Sequence, residues 1–270
     1  VVKRRASLCL LLPLLLGLLP ARAADDCQHL RATGNPEYPP YLWRDPNHPG
    51  RLIGANAELL DYLAGQLGIE VTVIDAGPWS RAQEEVRLGR VDWLAGYFRT
   101  DAREQQMDFI APAFLTTDSV VWVRSDGAFA YTGWDDLQGR IGGTLVNNSH
   151  GQRFDEYASA HLQLEAVPGA SQAFEKLLHK RNDYLLYERH PGAALTQALG
   201  IDEQLSVLEP PVSSEPLYLA LSKRSLCNSA ALRERLATLM QALVNSPLAE
   251  RLVQRNLERW KRQQRLGLDR

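Results

Sequence analysis

The 270 residues, 45% of them hydrophobic and 23% charged, suffice for one or two ordinary globular domains. A formal net charge of −2 leaves no basic excess, which argues against a nucleic-acid surface and for a small partner. Without a Cys-x-x-Cys or His-x-x-x-His spacing, neither a metal site nor a cofactor is indicated, and the six histidines read as incidental.

The chain opens with the pattern of an export leader. Lys3, Arg4 and Arg5 form a positive segment, Leu8 to Leu19 an apolar one, and Ala21-Arg22-Ala23 a small-residue cleavage site. The apolar run is shorter than the ~20 residues a membrane-spanning helix needs, and Pro13, Gly17 and Pro20 fall in or beside it. Residues 1–24 are therefore expected to be a signal peptide, cleaved on secretion into the periplasm. Cleavage would leave Cys27 and Cys227 in an oxidising compartment, where leftover thiols often pair; two unrelated buried thiols are the other reading.

His29 to Thr33 can form a first strand, and the stretch from Gly34 to Gly50, rich in Pro and Asn, reads as loop. Gly54 to Leu67 has Leu59, Leu60, Leu63 and Leu67 on one helical stripe with Gly68 ending it, and the β-branched Ile69 to Ile74 reads as a buried strand. Gly77-Pro78-Trp79 turns into a helix over Ser80 to Leu88, closed by Gly89 before a strand over Val91 to Ala95. Thr100 is placed to cap a short helix, which puts Arg103 in its first turn, within reach of the preceding strand end, where open α/β sheets hold their ligands. A permanently charged fork there is a carboxylate receptor. From spacing alone, Arg103 also reads as a solvated surface cation.

Further on, Ser119 to Val123 reads as an apolar strand, and Asn148, Ser149 and His150 precede a helix over Gln152 to Ala160, whose free N–H groups Ser149 can cap. Strands over Leu162 to Val167 and Asp183 to Tyr187, the second ending at Glu188, alternate with helices over Ser171 to His179 and Pro191 to Leu199. A strand over Gln204 to Leu208, the pair Pro210-Pro211 and a strand over Leu217 to Leu221 lead back to two amphipathic helices, Ala230 to Leu243 and Ser246 to Gln264.

Taken in order, these segments resemble the family 3 periplasmic solute-binding proteins. Thr100, Arg103, Met107, Asp108, Phe109, Pro112 and Phe114 resemble that family's Thr-x-x-Arg, hydrophobic-Asp-Phe, Pro-aromatic signature. Tyr38-Pro39-Pro40-Tyr41 is similar to its aromatic-Pro-Pro-aromatic loop, and the passages from Gly54, from Trp134 to Gly142 and around Leu217 to Leu221 are similar to later motifs. The resemblance covers about residues 29–260. It implies an α/β, two-lobed periplasmic-binding-protein fold of type II, with two crossover strands and a cleft between the lobes. Lobe 1 would comprise residues 25–124 and 210–270, and lobe 2 residues 125–209. Such a fold would bring Cys27 and Cys227 into one domain.

The same resemblance implies the site. Arg103 would clamp a ligand carboxylate and Glu188 its amine, with Tyr38 and Trp79 enclosing the body and Asn148 and Ser149 contributing polar contacts. Where the family often has Ser or Thr ahead of Thr-x-x-Arg, this chain has Gly96, Tyr97, Phe98 and Arg99, and Phe98 favours an apolar or aromatic ligand. The expected protein is a monomer that captures a small carboxylate-bearing molecule, an amino acid or derivative, by hinge closure and delivers it to an inner-membrane ABC permease. No nucleophile with a base and an orienting group is visible, so no catalytic residue is assigned. Two other readings share the fold. One is a cyclohexadienyl-dehydratase-like enzyme, whose loop the run from Val146 to Phe154 distantly resembles and in which Glu188 would be a general acid. The other is a periplasmic ligand-sensing subunit.

Overall fold

Alternating burial along β1 (His29–Thr33) sends Leu30, Ala32 and Thr33 inward, and the computed structural model, which describes residues 27–267, builds a sheet outward from that strand. The leader expected at residues 1–24 lies outside the described residues. The leucine stripe of α1 (Ala55–Leu67) is buried as its spacing predicts, and Gly68 closes the helix at φ 70°, its N–H bonded to carbonyls of the last turn. The chain returns as β5 (Glu70–Val73), parallel to β1.

The Pro-rich stretch after β1 is not loop throughout. It contains β2 (Glu37–Tyr38), β3 (Leu42–Arg44) and β4 (Leu52–Ile53), a small antiparallel sheet of its own. Burial of Tyr38, Leu42, Trp43 and Leu52 overrides the local turn chemistry. Next come α2 (Trp79–Arg87), β6 (Trp93–Phe98) and the short α3 (Asp101–Glu104).

Two strands of 18 residues each, β7 (Met107–Arg124) and β11 (Leu205–Ser222), run antiparallel to each other through the middle of the molecule. The short strands expected at Ser119 to Val123, Gln204 to Leu208 and Leu217 to Leu221 are parts of these two. Pro210 and Pro211 do not break β11, because the pairing with β7 shifts register between Leu208 and Ser213, where no ladder N–H is required of them.

The sheet order is β5-β1-β6-β11-β7-β10-β8-β9. One end carries the β1 unit. The other carries β8 (Ile141–Leu145), β9 (Gln163–Val167) and β10 (Tyr184–Glu188), mutually parallel and interleaved with α4 (Gln152–His161), α5 (Ala170–Leu178) and α6 (Arg189–Leu199). Two α/β lobes therefore share β7 and β11 as their crossovers. The closing helices α7 (Ala230–Val244) and α8 (Leu248–Leu266) pack on α1 of the first lobe, where Trp43 donates to Gln263 at 2.9 Å. Trp260 of α8 also reaches the second lobe, donating to the Ala194 carbonyl of α6 at 3.2 Å. Cys27 and Cys227 are disulfide-bonded, tying the start of β1 to the segment before α7. Among the described residues no helix is long and apolar enough to cross a membrane.

Candidate functional site

Gly96 and Phe98, two residues apart on β6 and so on one face of it, border a narrow cavity between the lobes. Leu217 of β11, the cross-strand partner of Phe98, completes that wall. At Gly96 the backbone has φ +88°, and a Cβ would meet the Asn56 side-chain nitrogen at 2.8 Å, so a side chain there would be both strained and crowded. Asn35, Tyr38, Trp79 and Arg103 line the rest of the first-lobe side, and Asn148 and Glu188 face them from the second. The cavity measures about 20 Å³, room for roughly one water.

Contacts across the gap hold the lobes closed on both flanks. On one flank the Trp79 indole donates to Asn148 Oδ1 at 3.1 Å, Arg103 to the Asn147 carbonyl at 3.2 Å, and the Asp101 backbone N–H to Gln152 Oε1 at 3.2 Å. On the other, Glu37 Oε2 accepts from the backbone N–H groups of Ala170 (2.5 Å) and Ser171 (3.2 Å), which caps α5 from the opposite lobe. Tyr187 of β10 donates its hydroxyl to the Glu37 carbonyl at 2.6 Å.

Arg103 is seated by neutral groups. Thr100 caps α3 as its sequence position predicts, its Oγ1 accepting from the Arg103 N–H at 3.3 Å. The guanidinium then doubles back, donating to the Phe98 carbonyl at 2.9 Å and Gln83 Oε1 at 3.4 Å, with its central carbon 3.9 Å from the centroid of the Tyr97 ring. Tyr97 is itself pinned by its hydroxyl, which donates to the same Gln83 oxygen at 2.7 Å, and it packs between Trp79 and Phe109. No carboxylate forms an ion pair with Arg103 among the described residues. Burial lowers its pKa, yet a guanidinium stays cationic at any pH at which a protein folds.

Glu188 ends β10 with 4% of its surface exposed, and its Oε2 has no hydrogen-bond partner. Burial pushes its pKa up to about 7, against the downward pull of its own backbone N–H, Asn148 and Arg103. The Asn148 amide nitrogen is likewise buried without a partner, while its oxygen is taken by Trp79. One cavity thus holds an arginine without an ionic partner and an acid with one carboxylate oxygen unbonded, beside the Asn148 amide. Tyr38 walls it, packed on Tyr41 and edge-on to Tyr187.

Six of the seven expected ligand residues, Tyr38, Trp79, Phe98, Arg103, Asn148 and Glu188, meet at this cavity. Ser149 does not line it: its hydroxyl donates to Asp155 and accepts from the Gly151 N–H at 3.2 Å, fixing the loop ahead of α4. His150 beside it is buried between Thr144 and Ser119, and burial, with the nearby charge of Arg103, lowers its pKa to about 3, so it is neutral. Sequence reading missed Asn35, Gly96 and Leu217 in the lining, and Gln83 and Tyr97 behind Arg103. Gln83 was within reach of pattern, since it lies four residues after Trp79 on the same face of α2.

The profile of the bacterial extracellular solute-binding proteins, family 3, matches residues 30–258. The chain belongs to this family. Among solved structures this family 3 protein is similar to a mutant of ArgBP from T. maritima, with a TM-score of 0.71 at 18% identity over 86% of this chain and 96% of that one. It is similar also to AbpA from Streptococcus pneumoniae, an amino acid ABC transporter substrate-binding protein bound to L-arginine, with a TM-score of 0.70 at 18% identity over 86% and 96%. A histidine kinase sensor domain with similarity to periplasmic binding proteins aligns with a TM-score of 0.71 at 23% identity over 87% and 98%. At such identities the likeness establishes the fold. By sequence alone, no curated protein matches this family 3 chain. Among its described residues, no group of three or more His, Cys, Asp or Glu side chains is arranged to hold a metal ion.

Proposed function

We propose that this family 3 protein captures a small carboxylate-bearing ligand, an amino acid or a derivative of one, by closing its two lobes over it. The observation that carries the reading is Arg103, stacked on Tyr97 without an ionic partner, in the same cavity as the acid Glu188, whose Oε2 is unbonded. An α-amino acid brings a carboxylate for the first and an ammonium for the second. Asn148 offers its free amide hydrogens, and Tyr38, Trp79 and Phe98 enclose the body; Ser149 serves by holding the loop that carries Asn148. The 20 Å³ between the walls cannot admit such a ligand. Entry therefore requires the lobes, taken as residues 25–124 with 210–270 and residues 125–209, to swing apart about β7 and β11.

The family and its transporter-linked neighbour support delivery, in the periplasm, to an inner-membrane ABC permease, and we take the protein to act there as a monomer. A thermal-shift screen against amino acids and small carboxylates tests the reading. A ligand at ~100 times its Kd adds roughly 2.7 kcal/mol to stability, and Arg103→Ala should erase that gain; a gain that survives the substitution removes Arg103 from the site. The sensor-domain neighbour keeps a signalling role open as the destination of the same binding event. Glu188, an acid held near neutrality, also suits a general acid, which favours a second reading as a cyclohexadienyl-dehydratase-like enzyme. Incubation with prephenate decides it: formation of phenylpyruvate supports the enzyme, and none supports the binding protein.

A further inference from the structure

Two of the residues lining the cavity, Arg103 and Glu188, can meet a ligand charge, and an α-amino acid engages both through its carboxylate and ammonium. Every other wall is neutral. Tyr38, Trp79, Phe98 and Leu217 are apolar or aromatic, Gly96 presents no side chain, and Asn35 and Asn148 offer amides. Of the acids nearest these walls, Glu37 and Asp155 are engaged elsewhere, and Glu215, two residues before Leu217 on β11, lies against Gly151 outside the cavity lining. Glu37, two residues from Asn35, spends its carboxylate on the N-terminus of α5 and lies 3.6 Å from Arg44. Asp155 is held by the Ser149 hydroxyl and by the His150 N–H at 2.8 Å. A third charge on the ligand, of either sign, would lose its water on closure and find no counter-ion.

Resting on the reading of the cavity as an amino-acid site, we infer that this protein selects amino acids with an uncharged, predominantly apolar side chain and discriminates against those with a charged one. Selection here comes from what the walls withhold as much as from what they supply. In this respect the chain parts from its arginine-bound structural neighbour.

Isothermal titration of the full-length mature protein with leucine, phenylalanine, arginine and glutamate tests the inference. Arginine and glutamate should each bind at least tenfold more weakly than the better of the two neutral amino acids; a smaller gap, or the reverse order, overturns it. A second arm uses Asn35→Asp, which adds one negative charge to the wall at nearly constant volume. Its affinity for arginine should rise at least tenfold relative to the unmodified protein while that for leucine does not, and failure of arginine to gain overturns the charge argument. The two levels fail differently. Arginine binding within tenfold of the better neutral amino acid, and abolished by Arg103→Ala, sinks the selectivity and leaves the amino-acid site standing, whereas no binding of any of the four sinks both.

Discussion

Replacing Glu188 by glutamine should remove a pH dependence that the folded protein builds into itself. Burial holds the Glu188 carboxyl at about 7 instead of its ordinary 4.5, so between those values the folded chain keeps a proton that the unfolded chain releases. Stability contributed by this group therefore falls as pH rises through the window, by roughly 3 kcal/mol at 1.36 kcal/mol per pH unit, and is level below 4.5 and above 7. His150 pulls the other way. Held neutral down to about 3, it leaves the folded chain with fewer bound protons than the unfolded one up to about 6.5, so its contribution rises with pH by roughly 5 kcal/mol across that range. Where the ranges overlap, the two slopes largely cancel in the unmodified protein, and Glu188→Gln should uncover that of His150. Urea unfolding of both proteins from pH 4 to pH 8 measures this. The variant's stability minus that of the unmodified protein should climb by roughly 3 kcal/mol over the interval, whatever fixed offset the new amide introduces. A difference that stays level with pH would refute the placement of an uncompensated acid in the closed cavity.

Binding of an amino acid should ionise Glu188, so titration at pH 6 in buffers of different ionisation enthalpy should report release of close to one proton per ligand; no buffer dependence would separate Glu188 from the ligand's ammonium. The disulfide joins residues 200 apart in sequence, and chain-entropy reasoning puts its loss in a Cys27→Ser/Cys227→Ser chain at about 5 kcal/mol; a loss under about 1 kcal/mol in denaturant unfolding would count against that reasoning. Glu37→Gln removes a negative charge from the α5 N-terminus and should cost the closed arrangement about 1 kcal/mol. Small-angle scattering of the ligand-free variant should then give a larger radius of gyration than the unmodified chain, and an unchanged radius would place the latch elsewhere.

Much of this site could be read from sequence because short-range rules govern its parts. Thr100 caps α3 and thereby aims Arg103, while Trp79 begins a helix straight after Gly-Pro; each is settled within a few residues. The misreadings share a different cause. β2, β3 and β4 exist because Tyr38, Leu42, Trp43 and Leu52 meet a distant core that includes Trp260, which no local window contains. β11 looked like separate strands because the register shift that accommodates Pro210 and Pro211 belongs to its pairing with β7. Asn35, Leu217 and Gln83 depend on tertiary placement in the same way. Ser149 admitted two readings, ligand contact or helix cap, and neither holds: its hydroxyl donates to Asp155, six residues on, and accepts from the Gly151 N–H, while α4 begins without a side-chain cap.

Because β7 and β11 are hydrogen-bonded over both their first and last residues, neither lobe can tilt without flexing the pair as one leaf. Between Leu208 and Ser213 that ladder is interrupted, and the stretch is held instead by Arg189 on Glu209 and by Trp134 on the Val212 carbonyl. Substitutions there lie outside the cavity lining, though Glu209 binds the neighbour of Glu188, and should change how readily the jaws part more than what they grip. Evolution or design can therefore set the strength of capture and the choice of cargo on separate dials.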